Sequence, residues 1–240
     1  MKFRKILSAV IISVTSVAAS AGSFDGPYMQ LGIGGASTET QTNFSDPVYD
    51  FLSQTVGFKT STKSSQSSFI GKVEGGWSKS VEKYNLATSI FYVIGNQNAG
   101  SNNWGISFAD GSDSASIHGS QSFTLKNTWG INLEPGYYVS DTTLGYLKFS
   151  WFNSTISSSA NLGYNYNIAP HSGSGGAVAN TSFVINGVGY GLGLKQVLSD
   201  KLYGYLEYQY VYYGSVYDTV VEARYKPAQN IGLIGLGYKF

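Results

Sequence analysis

Only two histidines occur in the chain, and they bound any acid–base chemistry it could run. His118-Gly119-Ser120 places a potential base and a potential nucleophile two residues apart, on one face of any strand that carries them. Continuing the alternation of the strand that follows puts both on the inner side, at a loop edge. A lipid hydrolase would need them turned toward lipid with an acid to orient the base, so no catalytic residue is expected here. His171 sits in a turn-like "APHSGSGG" stretch with no acid nearby and reads as a solvated loop residue. Asp110-Gly-Ser-Asp113 has too few ligands for a specific calcium site. "GIGG" at 32–35 has no helix after it to hold a phosphate. No metal cluster or cofactor motif appears, and none is expected.

A different constellation is more informative. Lys72, Glu74, Lys126, Glu134, Lys148, Lys195 and Glu207 fall in the middle of segments that otherwise alternate apolar and polar residues. Charges of both signs on the polar side of strands call for pairing if water is excluded. They are expected to interleave as a polar plug; which pairs with which is open at this level. A conducting polar path is the alternative use of the same residues.

The elements that would position them are strands. Eight segments show period-two alternation: 27–37, 68–79, 84–95, 121–138, 143–156, 184–197, 202–213 and the final Asn230–Phe240, "NIGLIGLGYKF". In the fourth, Phe123, Leu125, Trp129, Ile131 and Leu133 are assigned to one face, and Thr124, Lys126, Thr128, Asn132 and Glu134 to the other. In the sixth, Gly187, Gly189, Gly191 and Gly193 share a face with Lys195, leaving room for longer side chains opposite. Short turns follow the second, fourth and sixth strands. Long Ser/Gly/Asn/Thr-rich connections follow the first (38–67), third (96–120) and fifth (157–183), and an intermediate one (214–228) the seventh.

Composition decides which face is outside. Of 240 residues only 12% are charged and the net charge is +1, so the basic excess of a nucleic-acid binder is missing. Aromatics reach 15%, with 19 Tyr, and no cysteine is present. Lys2, Arg4 and Lys5, the apolar run from Ile6 to Ala18 and Ala19-Ser20-Ala21 read as a signal peptide over 1–21, leaving 22–240 as the exported domain. After Ala21 no apolar run is long enough for a membrane helix, so a membrane protein with this sequence spans by a closed barrel. Aromatics gather near strand ends, as a lipid–water interface selects. Trp77, Tyr84, Tyr238 and Phe240 lie at the short-turn end. Phe69, Tyr92, Phe123, Trp151, Tyr210 and Tyr212 lie nearer the long connections, and Trp129 lies on the apolar face between. The expected fold is all-β: an eight-stranded antiparallel up-and-down transmembrane β-barrel with short periplasmic turns and long extracellular loops. A soluble eight-stranded barrel with the apolar set turned inward is the competing fold.

Gly187–Ser215 and "NIGLIGLGYKF" resemble the OmpA-like and opacity-protein barrels, through Leu198-Ser199-Asp200, Glu207-Tyr208-Gln209-Tyr210, and Tyr238 with Phe240. That resemblance implies location in the cell outer membrane, contact with its lipids including lipopolysaccharide, and recognition of the last strand (Tyr238, Phe240) by the barrel-assembly machinery. It also implies surface roles such as adhesion, host contact or envelope integrity. The sequence stops at the barrel, so no cell-wall anchoring is implied. The last strand is expected to pair with the first around Tyr28 to Ile33. Three uses remain open: a surface-interaction anchor, a narrow porin-like channel, and a lipid-modifying enzyme.

Overall fold

The computed structural model describes residues 22–44, 49–51, 54–56, 61–218 and 223–240; the signal peptide read over 1–21 lies outside them. Twelve strands are present among the described residues: β1 (Gly26–Phe44), β2 (Tyr49–Phe51), β3 (Gln54–Val56), β4 (Ser61–Val81), β5 (Tyr84–Ile94), β6 (Gln97–Asp110), β7 (Asp113–Ser140), β8 (Thr143–Ile168), β9 (His171–Val197), β10 (Leu202–Tyr213), β11 (Val216–Asp218) and β12 (Ala223–Lys239). β2 and β3 pair only with each other.

The rest close into a ring of eight antiparallel staves in the order β1-β4-β5-β7-β8-β9-β10-β12, and β12 returns to β1. Two staves are interrupted. β6 continues β5 upward along β7, and β11 continues β10 upward along β12. Closure has the expected register, with Tyr28 opposite Lys239 and Ile33 opposite Ile234, and Phe240 N–H donates to Pro27 O at 3.1 Å. A ring has no edge, so every ladder bond in the wall is internal. The three lower hairpins turn tightly: Val81 faces Tyr84, Ser140 faces Thr143, and the Leu198 N–H donates to Leu202 O at 2.8 Å.

The lower wall is apolar outside and polar inside. Leu31, Ile33, Ile90, Ile131, Phe149, Leu192, Leu206 and Leu236 are exposed on its outer surface, while Gln30, Lys72, Glu74, Asn132, Lys148 and Gln209 are buried within. The competing soluble barrel is therefore excluded, because it requires the reverse. Glycine on β9 makes this interior possible. A Cβ at Gly189 would lie 2.9 Å from the Phe152 ring and one at Gly187 2.7 Å from Tyr213, so these bulky side chains fill space that β9 leaves empty.

Two features depart from the sequence reading. The connections 96–120 and 157–183, and the described residues of 38–67, are sheet, not loop: β7, β8 and β9 run for 28, 26 and 27 residues, far beyond the ~9–11 that a tilted membrane strand needs. Their hairpins close on the residue pairs Asp110–Asp113 and Ile168–His171. Ser, Asn and Gly there were read as loop formers, but they pair into a ladder that gains its stability from neighbouring strands rather than local propensity.

The second departure is a β-bulge on β7. Lys126 is opposite Thr155 and Trp129 is opposite Asn153, so two residues of β7 face the single Ser154. Asn127 takes the left-handed conformation (φ 51°) that asparagine tolerates better than most residues. One extra residue inverts the side-chain alternation above it. Phe123 is consequently 1% exposed, in the interior 4.7 Å from the Tyr225 ring, and is not an interface aromatic. Leu125 points inward as well, and Lys126 leaves the interior for the half-exposed outer side.

Candidate functional site, a neutral plug of three lysines and three glutamates

Six of the seven predicted interior charges meet at one level of the barrel; Lys126, displaced by the bulge, does not. Lys72 and Glu74 come from β4, Glu134 from β7, Lys148 from β8, Lys195 from β9 and Glu207 from β10. Each lies on the inward phase of its stave, a period-two property already readable in the sequence.

Lys148 is the centre. Its Nζ lies 2.7 Å from Glu134 Oε1, 2.7 Å from Glu207 Oε2 and 3.0 Å from Glu74 Oε2. Lys72 bridges Glu207 at 2.7 Å and Glu74 at 3.0 Å, and Lys195 binds Glu134 at 2.6 Å. Three lysines against three glutamates leave the plug neutral, as exclusion from water requires. The three carboxylates bring oxygens within 4.8 Å of one another, a spacing that could gather a cation. The Lys148 ammonium takes that role itself.

Uncharged residues on the same inward phase add donors to the plug, Asn132 among those already assigned to the polar face. Tyr146 donates to Glu207 Oε2 at 3.2 Å and Ser89 to Glu74 Oε1 at 2.7 Å. A relay of donors runs toward the plug and ends on Ser89: Gln209 to Ser150 at 2.5 Å, Ser150 to Asn132 at 2.6 Å, Asn132 to Ser89 at 3.0 Å. Lys195 is also held over aromatic faces, 4.7 Å from the Tyr146 centroid and 5.0 Å from Tyr28. The available signal for all of these was their shared phase with the charges.

Above the plug, Ile70, Phe91, Val93, Phe152, Ile231 and Leu233 cross the interior, with Phe91 and Phe152 rings 4.9 Å apart, edge to face. The cavity between this apolar layer and Lys72 measures about 10 Å³, against the ~10–15 Å³ one water molecule needs. At this level the lumen is filled.

The outer wall carries the predicted aromatics at two levels. Trp77, Tyr84, Tyr238 and Phe240 are exposed at the short-turn end; Phe69, Tyr92, Trp129, Trp151 and Tyr212 are exposed higher, with Tyr210 partly so. Trp129 and Trp151 lie 5.4 Å apart and Tyr190 and Tyr210 5.5 Å apart, each pair spanning neighbouring strands. Just above Trp151 the outward residues of β8 change from Leu147, Phe149 and Trp151 to Asn153, Thr155, Ser157 and Ser159. On the inner side of the same stretch, Ile156 is buried, and Leu162, Tyr164 and Tyr166 continue its phase. The wall thus inverts: apolar outside below this level, polar outside above it.

The chain is a closed eight-stranded β-barrel of the kind outer membranes hold. No family model matches it, and no curated protein matches it. Solved structures of similar form include the outer membrane protease OmpT from Escherichia coli, 11% identical, covering 94% of this chain and 100% of that one, TM-score 0.46. Neisserial surface protein A is 11% identical over 92% of this chain and 99% of that one, TM-score 0.36. Ail, the attachment invasion locus protein of Yersinia pestis, solved with the heparin analogue sucrose octasulfate, is 11% identical over 90% and 99%, TM-score 0.34. Likenesses this distant carry no functional argument, so function is argued from the geometry of this barrel.

The His118 and Ser120 pair changes sides in three dimensions. The bulge turns His118 and Ser120 to the outer side rather than the inner side assigned from alternation. His118 is exposed beside Gly163, and Ser120 accepts a 3.5 Å hydrogen bond from Asn161. Among the described residues no carboxylate bonds to His118. His171 is exposed at the start of β9, and Asp113 Oδ1 accepts from the Ala169 N–H at 3.3 Å.

Proposed function

We propose that this protein is a structural and surface-interaction protein of the cell outer membrane. Its plugged barrel anchors the upper sheet outside the cell, where that sheet meets ligands or host surfaces. The change of the exterior above Trp129 and Trp151 carries the reading, because an apolar exterior over a neutral polar lumen suits lipid, and a polar exterior suits water. Lipids of the outer membrane, lipopolysaccharide among them, contact the belt. The barrel-assembly machinery receives the strand that carries Tyr238 and Phe240. Neither conduction nor catalysis is assigned: the plug and the Phe91–Phe152 layer occupy the lumen, and among the described residues no carboxylate bonds to His118.

Single cysteines test the placement, since the natural sequence has none. A membrane-impermeant maleimide should label Ser112→Cys, in the β6–β7 turn, on intact cells. Ser199→Cys, in a short turn at the other end, should react only after the envelope is opened. The opposite labelling would sink the proposed orientation.

A further inference from the structure

Above the membrane belt, β6, β7, β8 and β9 form a four-stranded blade. Tyr164 and Tyr166 of β8 stand on its inner face, each opposite a glycine of β9: Tyr164 faces Gly175 and Tyr166 faces Gly173. A Cβ on Gly173 would lie 2.7 Å from the Tyr166 hydroxyl and 2.8 Å from its ring carbons. The two rings therefore lie across the backbone of β9, leaning toward its far edge. Ile117, exposed, stands opposite Tyr164 on the other side, and Phe108 near the tip is 69% exposed. Contiguous apolar surface held in water marks an interaction site more often than a chance of packing.

Among the described residues, the edge these rings lean toward is unpaired. Over His171–Asn180, β9 pairs with β8 and, among the described residues, with no strand on its other side. Exposed edges are ordinarily guarded by charge, proline or a bulge. From His171 to Asn186 there is no Lys, Arg, Asp, Glu or Pro, and the pairing with β8 runs without a register shift.

We infer that the blade binds an extended, uncharged polypeptide segment of a partner protein, which adds as a strand to the β9 edge and sets alternate apolar side chains against Tyr164 and Tyr166. A strand is the ligand class that uses both features: its main chain bonds the edge, and its side chains cover the shelf. A lipid chain would use only the shelf. A sugar could use the Tyr rings and hydroxyls but would leave the main-chain edge unpaired. The partner is uncharged along this stretch because, away from Asp110 and Asp113 at the tip, neither edge nor shelf offers an opposite charge. Gly173 and Gly175 present no Cβ, so bulky partner residues beside them meet the rings directly.

This inference rests on the proposed surface role, but its test does not depend on where the barrel sits. The probe is a synthetic peptide with the sequence of Asn161–Ile168, which in the fold already pairs with β9 from its other side. Full-length protein in lipid nanodiscs should bind it by fluorescence anisotropy and gain amide-exchange protection at Ser172–Ala179. Two N-methylated versions, blocked on alternate amides, separate the modes: one should bind like the parent and the other should lose at least about ten-fold in affinity. Tyr164→Ser with Tyr166→Ser should weaken binding by a similar factor while the barrel remains folded by gel mobility. Equal binding of both methylated peptides would overturn strand addition. So would the absence of binding, or slow exchange, before peptide is added, at those alternate amides of Ser172–Ala179 that point away from β8. A failed peptide experiment beside correct surface labelling would remove this inference alone; failed labelling would remove the surface role.

Discussion

Lys148 and Glu207 meet at 2.7 Å although a whole strand separates them. Lys148 belongs to β8 and Glu207 to β10, and between them β9 supplies Gly191 opposite Lys148 and Gly193 opposite Glu207. Each side chain crosses over a residue that has none. The glycine-rich strand, odd by β-propensity, is what allows the central ion pair to form.

Replacing Lys148 with methionine should leave Glu74, Glu134 and Glu207 facing one another with too little positive charge. Removing one partner of a buried pair costs about 3–5 kcal/mol. Equilibrium unfolding of the micelle-bound barrel in denaturant should register that loss. Lys126→Ala, at the residue outside the plug, should change stability by less than about 0.5 kcal/mol. Equal losses for the two variants would contradict the inverted register of β7.

Gly193→Val tests the crossing. A Cβ there would collide with the Tyr146 ring, which also donates to Glu207. Overpacking of this kind costs about 1–3 kcal/mol. The same substitution at Gly232, where a Cβ meets nothing within 4 Å, should be much milder in the same unfolding assay.

Deleting Asn127 removes the extra residue of the bulge. Either Phe123 and Leu125 are then forced outward or the lower half of β7 turns Glu134 toward lipid. The variant should fail to give the heat-modifiable gel band of a folded barrel. Asn127→Gly keeps the residue count and tolerates positive φ, so it should fold normally.

Reconstituted wild-type protein should show no ion steps in a planar bilayer, since the plug and the Phe91–Phe152 layer fill the interior. Stable, selective steps from the wild type would favour the channel reading instead.

Alanine at both Tyr238 and Phe240 should slow assembly into the membrane more than export. Their rings pack 5.2 Å apart at the short-turn rim, and pulse-chase folding in cells would separate the two steps. Unchanged assembly would remove these residues as the signal.

How much of this was legible in the chain follows from what each feature depends on. Alternation of period two is local, so the eight staves, the pairing of β12 with β1, and six of the seven plug charges could be read from residue order. The location of Lys126, Phe123 and His118 could not. A bulge is defined by two residues facing one across a ladder, and nothing in "LKNTW" announces which partner strand is short by a residue. The blade was hidden for a related reason: Ser, Asn and Gly serve equally in a loop and in a ladder, and neighbouring strands decide between them. Residue order alone determined a barrel with charges on its inner phase. The tertiary structure decided which lysine meets which glutamate, where alternation inverts, and that the long connections stand up as sheet, because each depends on contacts between strands remote in sequence.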